Sequence, residues 1–177
     1  PPYTSSAASD VYKRQLRSLS KQIQLSIQDF LSDMCDEFSV EVRNGDTSLK
    51  VRARQAKKLP HILITTPESF QLLICSKGWK KKMEQVDTVV VDEWHELMGS
   101  KRGVQLELCL SALRFYNSNL KTWGISATIG NLDEAKNVLI GKHLDGSYVK
   151  GKLIKSSTRK QIEVEVVSPK KIKELPW

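Results

Sequence analysis

The run Thr88-Val89-Val90-Val91 leads straight into Asp92-Glu93-Trp94-His95-Glu96-Leu97, and no other stretch limits the fold as tightly. Four β-prone residues without polar alternation read as a strand buried on both faces, the environment of a parallel sheet with helices on both sides. Parallel strands need long crossovers, usually helical, so strand and helix must alternate along the chain. In such sheets ligands sit beyond the carboxyl ends of the strands, where Asp92 and Glu93 fall. One carboxylate there suits a Mg²⁺ ion held through water, because that ion prefers oxygen ligands, keeps several waters and bridges phosphate oxygens. The next carboxylate can orient and deprotonate a water that attacks a terminal phosphate. The simpler alternative is that both acids only cap the following turn.

The rest of the chain supplies the alternation. Leu16, Leu19, Ile23, Ile27, Phe30, Leu31 and Met34 recur at helical spacing and predict an amphipathic helix from Leu16 to about Phe38. Ser39 to Arg43 alternates as a short strand, and Asn44-Gly45-Asp46-Thr47 turns the chain. A short basic helix is expected from Val51 to Lys58. His61 to Thr65 reads as a further buried strand, after which Thr66 caps a helix with Pro67 at its first position and Glu68 in its first turn. Phe70, Leu72, Leu73 and Ile74 are expected to pack that helix down.

Lys77 to Lys82 reads as a basic loop with one aromatic residue, Trp79: either a solvated face or a stacking platform for a base. Gly99 to Gly103 reads as a flexible cationic loop leading to a helix from Val104 to about Tyr116, with Leu106, Leu108, Leu110, Leu113 and Phe115 mostly buried. Lys121 to Gly130 is another strand, ending in the small hydroxyl residues Ser126 and Thr128, which beside the Asp92–His95 segment could hydrogen-bond His95. Asn131 and Glu134 form a capping box, and two more strands are expected near Tyr148 to Ile154 and Ile162 to Val167.

At 177 residues and 40% hydrophobic, the chain is long enough for one packed domain. It has no apolar run of membrane-spanning length, so no membrane partner is expected. Cys35, Cys75 and Cys109 are odd in number and lack metal-ligand spacing, which predicts buried, reduced thiols in a cytoplasmic protein. The formal net charge of +8 suits a phosphate-backbone partner without separating DNA from RNA or from an acidic protein. Asp10-Val11-Tyr12-Lys13-Arg14-Gln15 can be written GAT GTG TAT AAG AGA CAG, the end of a transposase-based sequencing adaptor. Residues 1–15 are therefore expected to be an adaptor artefact or a disordered tail, outside the fold.

Four segments occur in order at predicted strand ends or their turns: Gly45-Asp46-Thr47, Thr65-Thr66-Pro67-Glu68, Asp92-Glu93-Trp94-His95 and Ser126-Ala127-Thr128. Together they resemble the motifs of superfamily 2 DExH-box helicases. With Glu96 to Gly103 included, they resemble the large helicase-related (Lhr-like) family among them. The resemblance spans roughly Leu16 to Trp177. It implies the α/β, RecA-like parallel sheet of a P-loop NTPase, with residues 16–158 as the first RecA-like domain. Residues 159–177 would be its last strand and a linker toward a second one. The implied protein is an ATP-dependent helicase acting on DNA, with RNA possible and DNA repair as the suggested setting.

By the same resemblance Asp92 binds Mg²⁺ through water, Glu93 is the catalytic base in ATP hydrolysis, and His95 senses the second domain and strand occupancy. Ser126 and Thr128 would couple the nucleotide to movement. Arg17, Gly45, Asp46, Thr47, Thr65, Thr66, Pro67, Glu68, Lys101 and Arg102 would lie along the nucleic-acid strand. The Gly-Asp-Thr turn would offer backbone N–H groups and the Thr47 hydroxyl to phosphate, although an ordinary turn would use the same residues. The helix start after Thr66 would meet a second phosphate.

The chain departs from the pattern in having no Gly-x-x-x-x-Gly-Lys-[Ser/Thr] loop, the cradle for the β- and γ-phosphates. Truncation before Leu16 is the expected reason, and the chain alone is expected to bind ATP poorly and hydrolyse almost none. The alternatives are a non-catalytic nucleic-acid-binding module and an RNA helicase of a neighbouring DExH family.

Overall fold

The structure, a computed structural model, describes residues 5–33, 38–127, 129–143 and 145–155, with side chains from residue 19 onward. Its elements are α1 (Ser5–Ser32), β1 (Val40–Arg43), α2 (Leu49–Lys57), β2 (Ile62–Thr65), α3 (Pro67–Ile74), α4 (Trp79–Met83), β3 (Thr88–Val91), α5 (Trp94–Leu97), α6 (Lys101–Tyr116), β4 (Lys121–Gly124) and α7 (Leu132–Ile140). The strands pair in parallel, β1 with β2 from Val40↔Ile62 to Arg43↔Thr65 and β3 with β4 from Thr88↔Lys121 to Val91↔Gly124. Every crossover is helical, so the molecule is an α/β protein of parallel strands and helices, as the valine run requires.

The core lies where α3, α4, α6 and α7 meet β3. Leu73, Met83, Leu110 and Leu113 are fully buried there, with Phe70, Val91, Trp94, Leu106 and Leu139 around them. A Cβ at Gly103 would overlap the Leu97 carbonyl, so the first turn of α6 can lie against the end of α5 only with glycine at that position.

Several expectations are corrected. The first helix starts at Ser5, earlier than the expected Leu16: residues 5–15 contain neither glycine nor proline to interrupt it. It ends earlier than expected, with the Ser32 hydroxyl donating to the Asp29 carbonyl at 2.7 Å. On it, Ile23 and Ile27 are half-buried, whereas Leu19 and Phe30 are exposed. In β3 only Val91 is fully buried; Val90 and its register partner Trp123 are 57% and 58% exposed, so one face of this strand pair is open among the described residues.

Leu72 on α3 and Leu108 and Phe115 on α6 are likewise exposed, because each lies on the side of its helix away from the core. The basic segment after α3 closes into α4, and Lys101-Arg102-Gly103 forms the first turn of α6 because Ser100 caps it, its hydroxyl accepting the Gly103 N–H at 3.1 Å. The strand expected near residues 148–154 does not form: only an isolated antiparallel bridge, Lys142 to Tyr148, is present, and Gly151 lies tight against Ile140. The strand candidate at 162–167 lies outside the described residues. Of the expected Asn131–Glu134 capping box the N-cap half forms, with the Glu134 N–H on Asn131 Oδ1 at 3.2 Å; Glu134 Oε2 accepts the Asn131 side-chain amide at 2.9 Å and not the Asn131 backbone N–H that a full box would use.

Candidate functional site

At the carboxyl end of β3 the backbone ladder continues past the strands. The Ile125 N–H donates to the Val91 carbonyl at 2.8 Å and the Trp94 N–H to the Ile125 carbonyl at 3.1 Å. Trp94 is 2% exposed, and its indole N–H donates to the Ala135 carbonyl on α7 at 3.1 Å. Asp92 and Glu93 are thus held out to solvent between two buried anchors, Val91 and Trp94. Glu93 has φ 48° and ψ 44°, the only non-glycine residue with positive φ among the described residues. Left-handed backbone at a carboxylate is strain that the surrounding ladder enforces, and such strain concentrates at working sites.

Asp92 Oδ1 accepts the Glu93 N–H at 3.0 Å, and its second oxygen has no protein partner among the described residues. No group of three His, Cys, Asp or Glu side chains able to hold a metal occurs among the described residues. A lone exposed carboxylate fits a Mg²⁺ bound through water and phosphate oxygens; it does not fit an all-protein cage.

His95 is the best-connected side chain here. Its backbone N–H donates to Ser126 Oγ at 3.3 Å, and its Nδ1 lies 2.9 Å from the same oxygen. Nδ1 is also 3.3 Å from Glu93 Oε2, and Nε2 is 3.4 Å from Glu96 Oε1. The expected hydroxyl contact therefore forms through Ser126, and it brings Asp92, Glu93, His95 and Ser126 together. Thr128 lies outside the described residues, as does the side chain of Arg17. Sequence reasoning missed Glu96 as a partner of His95, although their adjacency hinted at it. The anchoring bond of Trp94 left no local trace, because its acceptor is 41 residues away.

The turn after β1 satisfies itself. Thr47 Oγ1 accepts the Asn44 N–H at 2.9 Å, the Asp46 N–H is on Asn44 Oδ1 at 3.1 Å, and the Thr47 N–H is on the Asn44 carbonyl at 3.2 Å. These donors and the Thr47 hydroxyl, expected to face a phosphate, are engaged within the turn. What sets its orientation is Arg52 on α2, which donates to the carbonyls of Thr47 (2.8 Å), Asn44 (2.9 Å) and Gly45 (2.9 Å). Beside it the buried Gln55 donates to Glu41 Oε2 at 2.9 Å and accepts from the buried Arg43 at 3.4 Å. Neither Arg52 nor Gln55 stood out in the sequence, since main-chain acceptors carry no residue signature.

The parallel register sets Thr65 beside Arg43, so the turns after β1 and β2 share an edge. Thr65 and Thr66 are half-buried, and Thr66 Oγ1 accepts the Ser69 N–H at 3.4 Å as the cap of α3, behind Pro67. Glu68 receives Arg102 Nε at 2.7 Å, which ties the start of α3 to the start of α6 and places the carboxyl ends of both strand pairs on one side. Burial raises the Glu68 carboxyl, but its own backbone N–H, the Thr66 hydroxyl and Arg102 outweigh that and hold it below its ordinary value. Lys101 beside Arg102 is exposed. Trp79 is not a stacking platform: it is half-buried edge-on against Tyr116, ring centroids 5.2 Å apart. Of the thiols, Cys75 is exposed, contrary to expectation; Cys109 is buried, and burial first, then Cys75, pushes it up to about 11.

Residues 11–135 match the DEAD/DEAH box helicase family. The chain is 34% identical over 169 residues to the ATP-dependent helicase Lhr-Core of Sulfolobus acidocaldarius, covering 91% of this chain and 19% of that protein. It is 32% identical to the Lhr helicase/uracil glycosylase of Escherichia coli, covering 74% of this chain and 9% of that one. Among solved structures it is similar to the Mycobacterium smegmatis helicase Lhr bound to ssDNA and AMP-PNP, with a TM-score of 0.55, 31% identity, and coverage of 73% of this chain and 17% of that one. The chain thus spans about a fifth or less of the length of these relatives.

Proposed function

The chain belongs to the DEAD/DEAH box helicase family, and from that premise we propose that it is the greater part of the first RecA-like domain of an Lhr-like helicase. The larger protein would couple ATP hydrolysis to movement along DNA, in a cytoplasmic setting. The observation that carries this reading is the cluster of Asp92, Glu93, His95 and Ser126 at the carboxyl end of a parallel strand, joined by contacts of 2.9 to 3.3 Å.

Each residue has a role its geometry permits. Magnesium-bound ATP supplies the polarised terminal phosphoryl group. Asp92, exposed and with one oxygen free of protein partners among the described residues, would hold the magnesium ion. Glu93, aimed outward by its left-handed backbone, orients the attacking water and accepts its proton. His95 pairs with Glu93 and is fixed through Ser126 to the loop after β4, so a shift of that loop moves the base. Thr65, Thr66 and Pro67 at the start of α3, Lys101 at the start of α6 and the turn Gly45 to Thr47 line the same edge, where a strand would lie. For that strand DNA is favoured by the ssDNA-bound Lhr relative. Competition between DNA and RNA of one sequence measures the preference, because 2′-hydroxyl contacts separate them.

A polypeptide that carries this segment together with a Gly-rich phosphate loop should hydrolyse ATP when nucleic acid is added. Glu93→Gln in that polypeptide should lower turnover by about 10² or more. The 177-residue chain alone should show no turnover. Turnover by that chain, or turnover that survives Glu93→Gln, refutes the assignment.

A further inference from the structure

The chain's positive charge does not gather at the edge where the family motifs lie. Asp46, Glu68, Asp92, Glu93 and Glu96 sit there, and two of its arginines are committed, Arg102 to Glu68 and Arg52 to the turn carbonyls. The cations collect at the opposite, amino edge. Each crossover helix returns the chain to that edge, so α2 ends there in Lys57-Lys58, α3 is followed there by Lys77, and α4 carries Lys80, Lys81 and Lys82 just before β3 begins. Lys82 Nζ donates to the Ala56 carbonyl, joining α4 to the last turn of α2 and merging the two lysine runs.

The carboxylates in these segments are Glu84 and Asp87, and none of the six lysines forms an ion pair among the described residues. Both apolar side chains of α4 turn inward, Trp79 against Tyr116 and Met83 at 2% exposure. Lys80 rests 4.9 Å from the Tyr116 ring centroid, its side chain still exposed. What α4 shows to solvent is therefore ammonium groups, without an aromatic ring to stack a base or an apolar side chain to enter a bilayer.

We propose that this amino edge is a second nucleic-acid-binding surface, which holds the phosphate backbone without reading sequence and lies across the sheet from the motif edge. It rests on the reading that the protein works on nucleic acid, and it extends that reading to residues outside every motif. Ammonium groups supply backbone attraction and release counterions, so their contribution is readable as salt dependence.

The test measures binding of the chain to a fluorescent single strand and a fluorescent duplex by anisotropy across a salt series. One variant is Lys57→Gln/Lys58→Gln/Lys77→Gln/Lys81→Gln, which spares the contacts of Lys80 and Lys82. The other is Thr66→Glu/Lys101→Glu at the motif edge. Circular dichroism checks that both fold.

The lysine variant should lose roughly 2.8 to 3.6 from the slope of log affinity against log salt, at roughly 0.7 to 0.9 for each of the four phosphates no longer neutralised. The motif-edge variant should retain that share of the slope. If the lysine variant keeps its full slope while the motif-edge variant stops binding, this proposal fails and the motif-edge reading stands. If the motif-edge variant binds as the unaltered chain does and the lysine variant does not, the reverse holds. Failure of the unaltered chain to bind any nucleic acid, or binding only to phosphatidylserine vesicles, overturns the proposal.

Discussion

Trp94→Phe tests how the acidic pair is held. The indole is 2% exposed and donates to the Ala135 carbonyl, itself on a residue 2% exposed. Losing that donor leaves a buried acceptor one bond short, at about 1 kcal/mol, since the carbonyl also belongs to the α7 ladder. The smaller ring leaves a gap in a packed core, for about 1 kcal/mol more. A loss of about 2 kcal/mol is expected, equivalent to roughly 4 to 8 °C in Tm for a chain of this size. Urea unfolding followed by circular dichroism gives the number without relying on tryptophan emission. Trp123→Phe is the internal contrast: Trp123 is 58% exposed, and its change should stay within about 0.5 kcal/mol. Equal losses in the two variants, or a Trp94→Phe loss below about 0.5 kcal/mol, would refute the anchoring role.

Gly103→Ala must push α6 away from the Leu97 carbonyl and should lower stability by about 1 to 3 kcal/mol in the same urea assay. Native Cys109, buried with its thiol pushed up to about 11, should stay unmodified by iodoacetamide at neutral pH while Cys75 reacts, as peptide mass spectrometry would show. Arg102→Ala should let the Glu68 carboxyl rise toward its ordinary value in an NMR titration, and should cost less than about 1 kcal/mol because the pair is partly exposed. Glu68 is depressed in the folded state, so the pair's contribution is present above the ordinary glutamate range and fades as pH falls through the lower, folded value.

What the sequence made legible is what depends on neighbours in the chain. Thr66, Pro67 and Glu68 announce the start of α3, and Asn131 with Glu134 the start of α7, because a cap is settled within four residues. The valine run ending in Asp92 and Glu93 is legible for the same reason. Ser100 caps α6 just as locally, but Gly103 in the first turn made the segment read as a loop; the glycine is there for its clearance from Leu97. Exposure of Leu108 and Phe115 was not legible, since helical spacing shows that a helix has apolar faces and does not show which one finds a partner. Arg52 was hidden more deeply: its acceptors are main-chain carbonyls supplied by any residue.

The left-handed backbone of Glu93 sets stability against the carboxylate. A side chain with a Cβ held at φ 48° costs on the order of 1 kcal/mol, which asparagine largely escapes by tolerating that region. Glu93→Asn should therefore fold at least as well as the unaltered chain while removing the proposed base. A library of variants sorted only for folding would drift away from glutamate at this position. The glutamate at this position runs against the preference of its own backbone.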